Sequence, residues 1–413
     1  MIVRKITQAD WAEDTFVSSV AFEGGFDPTE PVDYAERTLR YEQDPQSRFD
    51  RYWAERWAAF TDAGEMMGSI GCYPYTVRYN GHSVGMSGIG GVATLPPYRR
   101  QGVIRACFRE AFAEMRAKGQ LVTMLYPFND AFYRKFGYEN AIRIKSWEIP
   151  MTALQRSGVE GTVEMFRVGG DTRAYAKVFE AFNARYELSS VREALDWKPM
   201  ERLNPSQQRT YAYLWRDRSG APKGYMVFRK EYTDGRRIMN CVPGFGSVCD
   251  FVFTDADGLR GLLDFAATFA SDYDTLRVVL PYDLDIEPVL QTHNPLLIKQ
   301  GFRGMLRVLD VERALALSAY RGSGRLRVGV DDAMCPWNEG VWQVDFQDGK
   351  ACRVGLTDEA ADVDMPVSDF SRLIFGSHDA DELWLLPNLR LHADPAALAP
   401  VFYRKRTWIG EQF

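Results

Sequence analysis

Hydrophobic and polar positions along this chain follow two periods, and their order repeats. From residue 65 to 93, two apolar-rich runs flank Asn80-Gly81, between TVRY and HSVGM. That pair favours a type I′ hairpin, because both turn positions take positive φ. The second run ends in GIGGVATL. A helical pattern follows in IRACFREAFAEMRAKG, with Ile104, Cys107, Phe108, Ala111, Phe112 and Met115 on one face and Gly119 placed to cap its end. Next come a short apolar strand, LVTMLYP, the segment AFYRKFGYENA and an alternating strand, IRIKSWEI, closed by Pro150.

The order then returns. TYAYLWRDRSGAPKGYMVFRK reads as a hairpin, SVCDFVFT as a strand, 257–269 as a helix and TLRVVLP as a strand; LLIKQGF leads into GMLRVLDV. KFGY (135–138) and KQGF (299–302) hold the same place in each half, so the pattern predicts two copies of one α/β fold of about 150 residues. From 312 onward short strands (RLRVGV, GVWQVDF, ACRVGL) alternate with turns such as Asp348-Gly349. Helical patterns around VSDFSRLIFG and PAALAPVFYRK complete an α+β arrangement. The expected division is 1–150, 151–311 and 312–413.

Composition narrows the function classes. The 413 residues include 50 Lys+Arg against 56 Asp+Glu, a net charge of −6, with 46% hydrophobic. This is a globular balance, and its acidity argues against nucleic acid as the main partner. No run of about 18 apolar residues spans a membrane, and MIVRKITQADWAED meets charge too early for a signal peptide, so the cytosol is the expected location. The six cysteines (Cys72, Cys107, Cys241, Cys249, Cys335, Cys352) form no CxxC pair, and the four histidines (His82, His293, His378, His392) show no ligand spacing. Neither a disulfide framework nor a metal is expected.

Charge placement is more informative at GGVATLPPYRRQGVIRACF. A strand delivers the chain to a tight loop, 96–102, and a helix starts at once, which is the geometry of an anion site. Arg99, Arg100 and Arg105 crowd the positive end of the helix dipole, where a cation costs about 0.3–1 kcal/mol. An anion with more than one negative charge is the simplest compensation; a solvated basic helix start is the plain alternative. The matching junction of the second half, FTDADGLRG, carries Asp255 and Asp257, ordinary capping residues that repel phosphate.

The pattern strand–(R/Q)xxGx(G/A)–helix, here Arg99-Arg100-Gln101-Gly102-Val103-Ile104, is similar to the acetyl-CoA pyrophosphate loop of the GNAT N-acetyltransferase superfamily. Ile104 replaces the small residue usual at the last place. With FYRKFGY, a second copy bearing acids at its loop, a small C-terminal domain and a terminal Phe413, the whole chain resembles the enhanced-intracellular-survival (Eis) family. That family tolerates a branched residue at the Ile104 position. The resemblance implies two GNAT folds plus a sterol-carrier-protein-like α+β domain. It also implies acetyl transfer from acetyl-CoA, without a metal, to primary amines of small polyamine- or aminoglycoside-like cations, and a homohexamer.

The same resemblance assigns residues. Backbone groups of Val92, Ala93 and Thr94 contact the carbonyl and pantetheine, and strand N–H groups act there as an oxyanion hole. The pyrophosphate sits on the loop formed by Arg99, Arg100, Gln101, Gly102, Val103, Ile104 and Arg105. Phe128, bulkier than the small polar residue usual there, and Asn129 touch the cofactor again. Tyr133 is the general acid, its phenol pKa of about 10 suiting a thiolate leaving group. The carboxylate of Phe413 is the base. For Tyr133 the plain alternative is a core aromatic flanked by Phe132 and Phe136; the second copy aligns Leu297 there. For Phe413 it is a frayed tail, which the apolar TWIGEQF opposes.

Phe22, Glu23, Phe26, Asp27, Glu411, Tyr52, Trp53 and Trp57 are candidates to line an amine pocket through charge and ring faces, although tryptophans more often fill cores. Two further readings stay open: an acetyltransferase for protein lysines or N-termini, and a non-catalytic sensor of acetyl-CoA or lipid. Tyr133 discriminates, since a sensor has no use for a proton donor.

Overall fold

Strands Met66–Tyr79 and His82–Thr94 form the expected hairpin, and Asn80 and Gly81 turn it with φ of 46° and 82°. The computed structural model describes residues 1–24, 34–154, 156–244, 247–290 and 296–413. They form two compact units. The first comprises Met1–Ala141, Gly304–Lys405 and Phe413; the second comprises Ile142–Arg303 and Arg406–Gln412.

These units do not follow the expected cuts at 150 and 311, because one strand of each sequence copy pairs in the other copy's sheet. The first unit holds a seven-stranded sheet in the order Ile2–Lys5, Arg56–Phe60, Met66–Tyr79, His82–Thr94, Gln120–Leu125, Met305–Val308, Glu139–Asn140. Met305–Val308 comes from the second copy and runs antiparallel to Gln120–Leu125, Met305 opposite Leu125. In the second unit, Arg143–Pro150 from the first copy lies between Leu297–Phe302 and Thr275–Pro281.

The helix Val103–Ala117 packs on the first sheet through the face the sequence predicts, with Ile104, Cys107, Phe108, Ala111, Phe112 and Met115 all buried. Burying about six such side chains is the main force that fixes the loop before it. Arg307 is wholly buried on Met305–Val308. It pairs with Asp332 and donates to the Phe136 carbonyl at 2.6 Å, tying the turn at Gly137 (φ 82°) to the following domain. That domain, also in the first unit, carries a five-stranded sheet and the helix Val367–Ile374. The second predicted helix yields one turn, Pro395–Leu398.

The second unit repeats the helix-on-sheet layer with Ala256–Ala267. The equivalence of KFGY and KQGF does not hold. Residues 135–138 turn after the helix Asp130–Arg134, whereas 299–302 lie within the strand Leu297–Phe302, and Leu297 is exposed. Leu297 therefore fills no core position corresponding to Tyr133. The sequence repeat matched a short glycine-aromatic word that extended backbone accommodates equally well. Among the described residues no helix is long and apolar enough to cross a membrane.

Candidate active site

The site opens where a strand loses its neighbour. His82–Thr94 pairs in parallel with Gln120–Leu125 only as far as Ile89 opposite Leu125. Residues 90–94 have no strand partner on that side among the described residues. On the other side Ser69 faces Ala93 and Gly71 faces Gly90, so Gly91 and Val92 together stand across from Ile70. This is a β-bulge, and Gly91 sits in it with φ 57°. The Leu95 N–H donates to the Met67 carbonyl at 3.0 Å, and the Ala93 carbonyl crowds Gly68. By strand alternation, Val92 and Thr94 turn their N–H and C=O groups toward the opening, while Ala93 turns its own toward the neighbouring strand. Of the three residues expected to contact the cofactor, Val92 and Thr94 are half-buried with backbone groups toward the opening, and Ala93 is buried.

The basic loop follows directly. Gly102 caps Val103–Ala117 at φ 81°, and Arg100 also takes positive φ, 64°. A Cβ built on Gly102 meets no atom within 4 Å, so glycine is needed here for its backbone conformation, and the space above it is open. Ala106 makes the first intrahelical bond, to the Gly102 carbonyl, which leaves the N–H groups of Val103, Ile104 and Arg105 without an intrahelical acceptor. The helix has no acid in its first turn. Val103 and Ile104 are buried, so they offer backbone alone, and the branched Ile104 side chain belongs to the core. Arg99, Arg100 and Gln101 are exposed. Gln101 donates to the Pro97 carbonyl at 2.9 Å and braces the loop. Arg105 lies over the Phe136 ring at 5.5 Å, with Nη1 3.3 Å from the Met334 sulfur. Among the described residues no carboxylate pairs with Arg99, Arg100 or Arg105.

In the second unit the corresponding helix start is closed. Asp255 accepts from the Gly258 N–H at 2.9 Å and pairs with Lys223 at 2.8 Å; Asp257 occupies the first turn.

Tyr133 stands on the helix Asp130–Arg134, whose start Asn129 caps by accepting from the Phe132 N–H at 3.0 Å. The cap occupies Asn129 Oδ1. Phe128 has no polar side-chain atom and is 75% exposed, its ring 5.6 Å from that of Tyr133. A polar side-chain contact from Phe128 is therefore excluded by its chemistry. Tyr133 is buried within the hydrophobic cluster that also contains Val103, Ile104 and Cys107, and against which Val92 packs. Burial pushes its phenol up to about 12, and the Cys107 thiol in the same cluster up to about 12 as well.

Phe413 is not frayed. It is buried, its ring 5.2 Å from those of Tyr75 and Tyr126. A Cβ on Gly88 would come within 2.5 Å of its ring, and a Cβ on Gly90 within 3.3 Å of its carboxyl carbon. The glycines of SGIGG thus make the seat for the terminal residue. In the sequence alone these glycines mark only the end of a strand.

The amine-pocket candidates divide. Glu411 is neutralised in the second unit, 2.7 Å from Arg192 and accepting from Ser190 at 2.9 Å, so it holds no free charge for a cation. Trp53 packs on Trp11 in the core, and Trp57 donates to Glu114 at 3.1 Å. Tyr52 is half-buried, while Phe22 and Glu23 are exposed at the end of the helix Trp11–Phe22. Phe26 and Asp27 lie outside the described residues.

Known proteins are similar to this chain in domain content and fold. Residues 3–141 and 188–308 each match a family model described as an acetyltransferase (GNAT) domain, and 311–410 match one described as a sterol carrier protein domain. An uncharacterized N-acetyltransferase of Streptomyces avermitilis is 26% identical over 343 residues, 76% of this chain and 78% of its own length. A probable N-acyltransferase of Enterococcus faecalis superposes with a TM-score of 0.83 at 19% identity, over 100% of this chain and 99% of its own. Eis1 of Mycobacterium abscessus superposes at 0.76 and 17% identity, over 100% of both chains. The structural likenesses show the fold: two GNAT folds and a sterol-carrier-protein-like domain.

Proposed function

Because this chain belongs to the GNAT acetyltransferases and is an acyl-transferring enzyme, we propose that it is an Eis-type member that acetylates primary amines of small cationic molecules, polyamine- or aminoglycoside-like. GNAT domains use acetyl-CoA, and the first copy fits that cofactor. Open space over Gly102, the N–H groups of Val103, Ile104 and Arg105, and the guanidiniums of Arg99, Arg100 and Arg105 suit a pyrophosphate. Val92 and Thr94 offer backbone groups to the pantetheine and acyl carbonyl. When bound, acetyl-CoA supplies the acetyl thioester and a thiol leaving group.

The chain's own groups supply the rest. An N–H on the strand edge is a preorganised donor for a carbonyl oxygen that gains charge. Tyr133, neutral at every physiological pH, donates its phenolic proton toward the departing sulfur. Its pKa near 12 disfavours transfer to a thiol of ordinary value, about 8.5. An apolar surround disfavours a thiolate as it does a phenolate, so a proton donated as the sulfur departs offsets the charge that builds there. The Phe413 carboxylate takes a proton from the incoming ammonium, directly or through water, and attracts that cation.

The single observation that carries this reading is the seating of the Phe413 carboxyl carbon beside Gly90, on the strand that goes on to Val92 and Thr94. A sensor has no need of a buried terminal carboxylate and a buried phenol around one strand edge. A panel of primary amines and lysine peptides, assayed for CoA release, tests the proposal. Turnover with polyamines or aminoglycosides well above that with peptides is expected; turnover with peptides alone would shift the substrate class to proteins. The family resemblance extends the proposal to a homohexamer, which sedimentation checks.

A further inference from the structure

Beneath the bulge lies a set of buried polar side chains that the transfer reaction above leaves unused. Asp14, on the helix Trp11–Phe22, and Arg56, on the strand Arg56–Phe60, form an ion pair with Oδ2 2.9 Å from Nε, their side chains only 9% and 7% exposed. The Ser69 hydroxyl donates to Asp14 Oδ1 at 2.6 Å. Arg56 Nη2 donates to Ser69 Oγ at 2.9 Å and to the Gly91 carbonyl at 3.1 Å. Tyr73 also hydrogen-bonds to the guanidinium. A Cβ on Gly91 would lie 2.8 Å from Nη1, so the guanidinium fills the place of a side chain at the bulge.

A buried ion pair is weak evidence of a stabilising role, since its desolvation offsets its attraction. Its position is more telling. Ordinary pairing with Met66–Tyr79 breaks at the bulge, and there the Gly91 carbonyl takes a guanidinium N–H instead. We infer that Arg56, locked by Asp14, is a positioning residue for acyl transfer: it clamps the Gly91 carbonyl and so fixes the bulge that turns Val92 and Thr94 to the opening. The inference rests on the reading that this edge receives the acetyl thioester. It names a device beyond that reading, since Arg56 acts through the backbone. A lysine keeps the charge but lacks the planar fork that reaches Asp14, Ser69 and Gly91 together.

The test compares full-length wild type with Arg56→Lys, and uses Ser69→Ala as a milder variant in case Arg56→Lys does not fold. Hydrogen exchange is followed over peptides covering 88–95, with peptides of 103–117 and 324–356 as controls. Exchange in 88–95 is expected to be about tenfold faster in Arg56→Lys, and a few-fold faster in Ser69→Ala, with the controls within about twofold. In Arg56→Lys kcat with a primary amine is expected to fall about 100-fold, the scale of losing one oriented donor, and in Ser69→Ala by less, with the CoA Kd within about twofold in both. Unchanged exchange over 88–95 would overturn the clamp, and so would equal acceleration in the control peptides, which marks general loosening. If wild type turns over no amine, the transfer reading fails, and the exchange arm still decides whether Arg56 holds the bulge.

Discussion

The ring of Phe413 occupies the space over Gly88: a Cβ added there would lie 2.5 Å from its Cγ. The last residue of the chain thus rests against the strand that leads into the bulge. Gly88→Ala forces one of the two to move. It is expected to lower stability by about 1–3 kcal/mol, as overpacking does. Trimming the ring in the double variant Gly88→Ala/Phe413→Ala removes the clash. A thermal-denaturation cycle should show strong non-additivity, with the double variant less destabilised than the two single changes sum to. Additive losses would mean that the ring and Gly88 do not meet.

Extension of the chain by a few residues after Phe413 turns its carboxylate into an amide, which can neither take a proton from an ammonium nor attract it by charge. Turnover should fall by about two orders of magnitude, the range of general acid–base catalysis, with CoA affinity preserved. Calorimetry with CoA and a CoA-release assay on the tagged and untagged proteins separate the two. A C-terminally tagged enzyme with undiminished kcat removes Phe413 from the chemistry.

Tyr133 has its phenol raised by burial from about 10 to about 12. A raised folded-state pKa means that the folded chain holds the proton more tightly. Its contribution to stability is therefore complete below pH 10 or so and is lost as pH rises through about 12. Across pH 6–10 or so the phenol stays protonated. Tyr133→Phe should lower the kcat plateau by about 100-fold without moving either limb of the pH–rate profile. A limb that disappears in Tyr133→Phe would instead assign that titration to Tyr133.

Much of this was legible in the sequence because it is local. The hairpin at Asn80-Gly81, the apolar face of Val103–Ala117 and the unbalanced arginines before it all follow from spacing and charge. The exchange of strands was not. IRIKSWEI and GMLRVLDV alternate equally well, and period-2 patterning says that a segment is a strand without saying which sheet receives it. Arg56 and Asp14 were invisible for a related reason. A charged residue reads as surface unless its partner is known, and theirs is brought together across 42 residues of chain by the helix Trp11–Phe22 packing on the sheet. Glu411 carried suitable chemistry, but Arg192 and Ser190, more than 200 residues away in sequence, had already claimed it, and the Oδ1 of Asn129 is held by the local helix cap.

The two sequence copies differ most where a cofactor would bind, which fixes an expected stoichiometry. In the first unit the N–H groups of Val103, Ile104 and Arg105 have no intrahelical acceptor, and no described carboxylate pairs with Arg99, Arg100 or Arg105 nearby in the chain. In the second, Asp255 already accepts from the Gly258 N–H and pairs with Lys223, and Asp257 adds charge of the sign that repels phosphate. Isothermal titration should therefore return one CoA per chain. Arg99→Ala and Arg100→Ala should each weaken binding by about two- to tenfold and flatten its salt dependence, since exposed guanidiniums act largely through screened charge. Asp255→Ala removes a helix cap and should cost about 1 kcal/mol of stability, yet leave the stoichiometry at one. Two CoA molecules per wild-type chain, or loss of CoA binding in Asp255→Ala without unfolding, would place a cofactor in the second copy and overturn the division of labour between them.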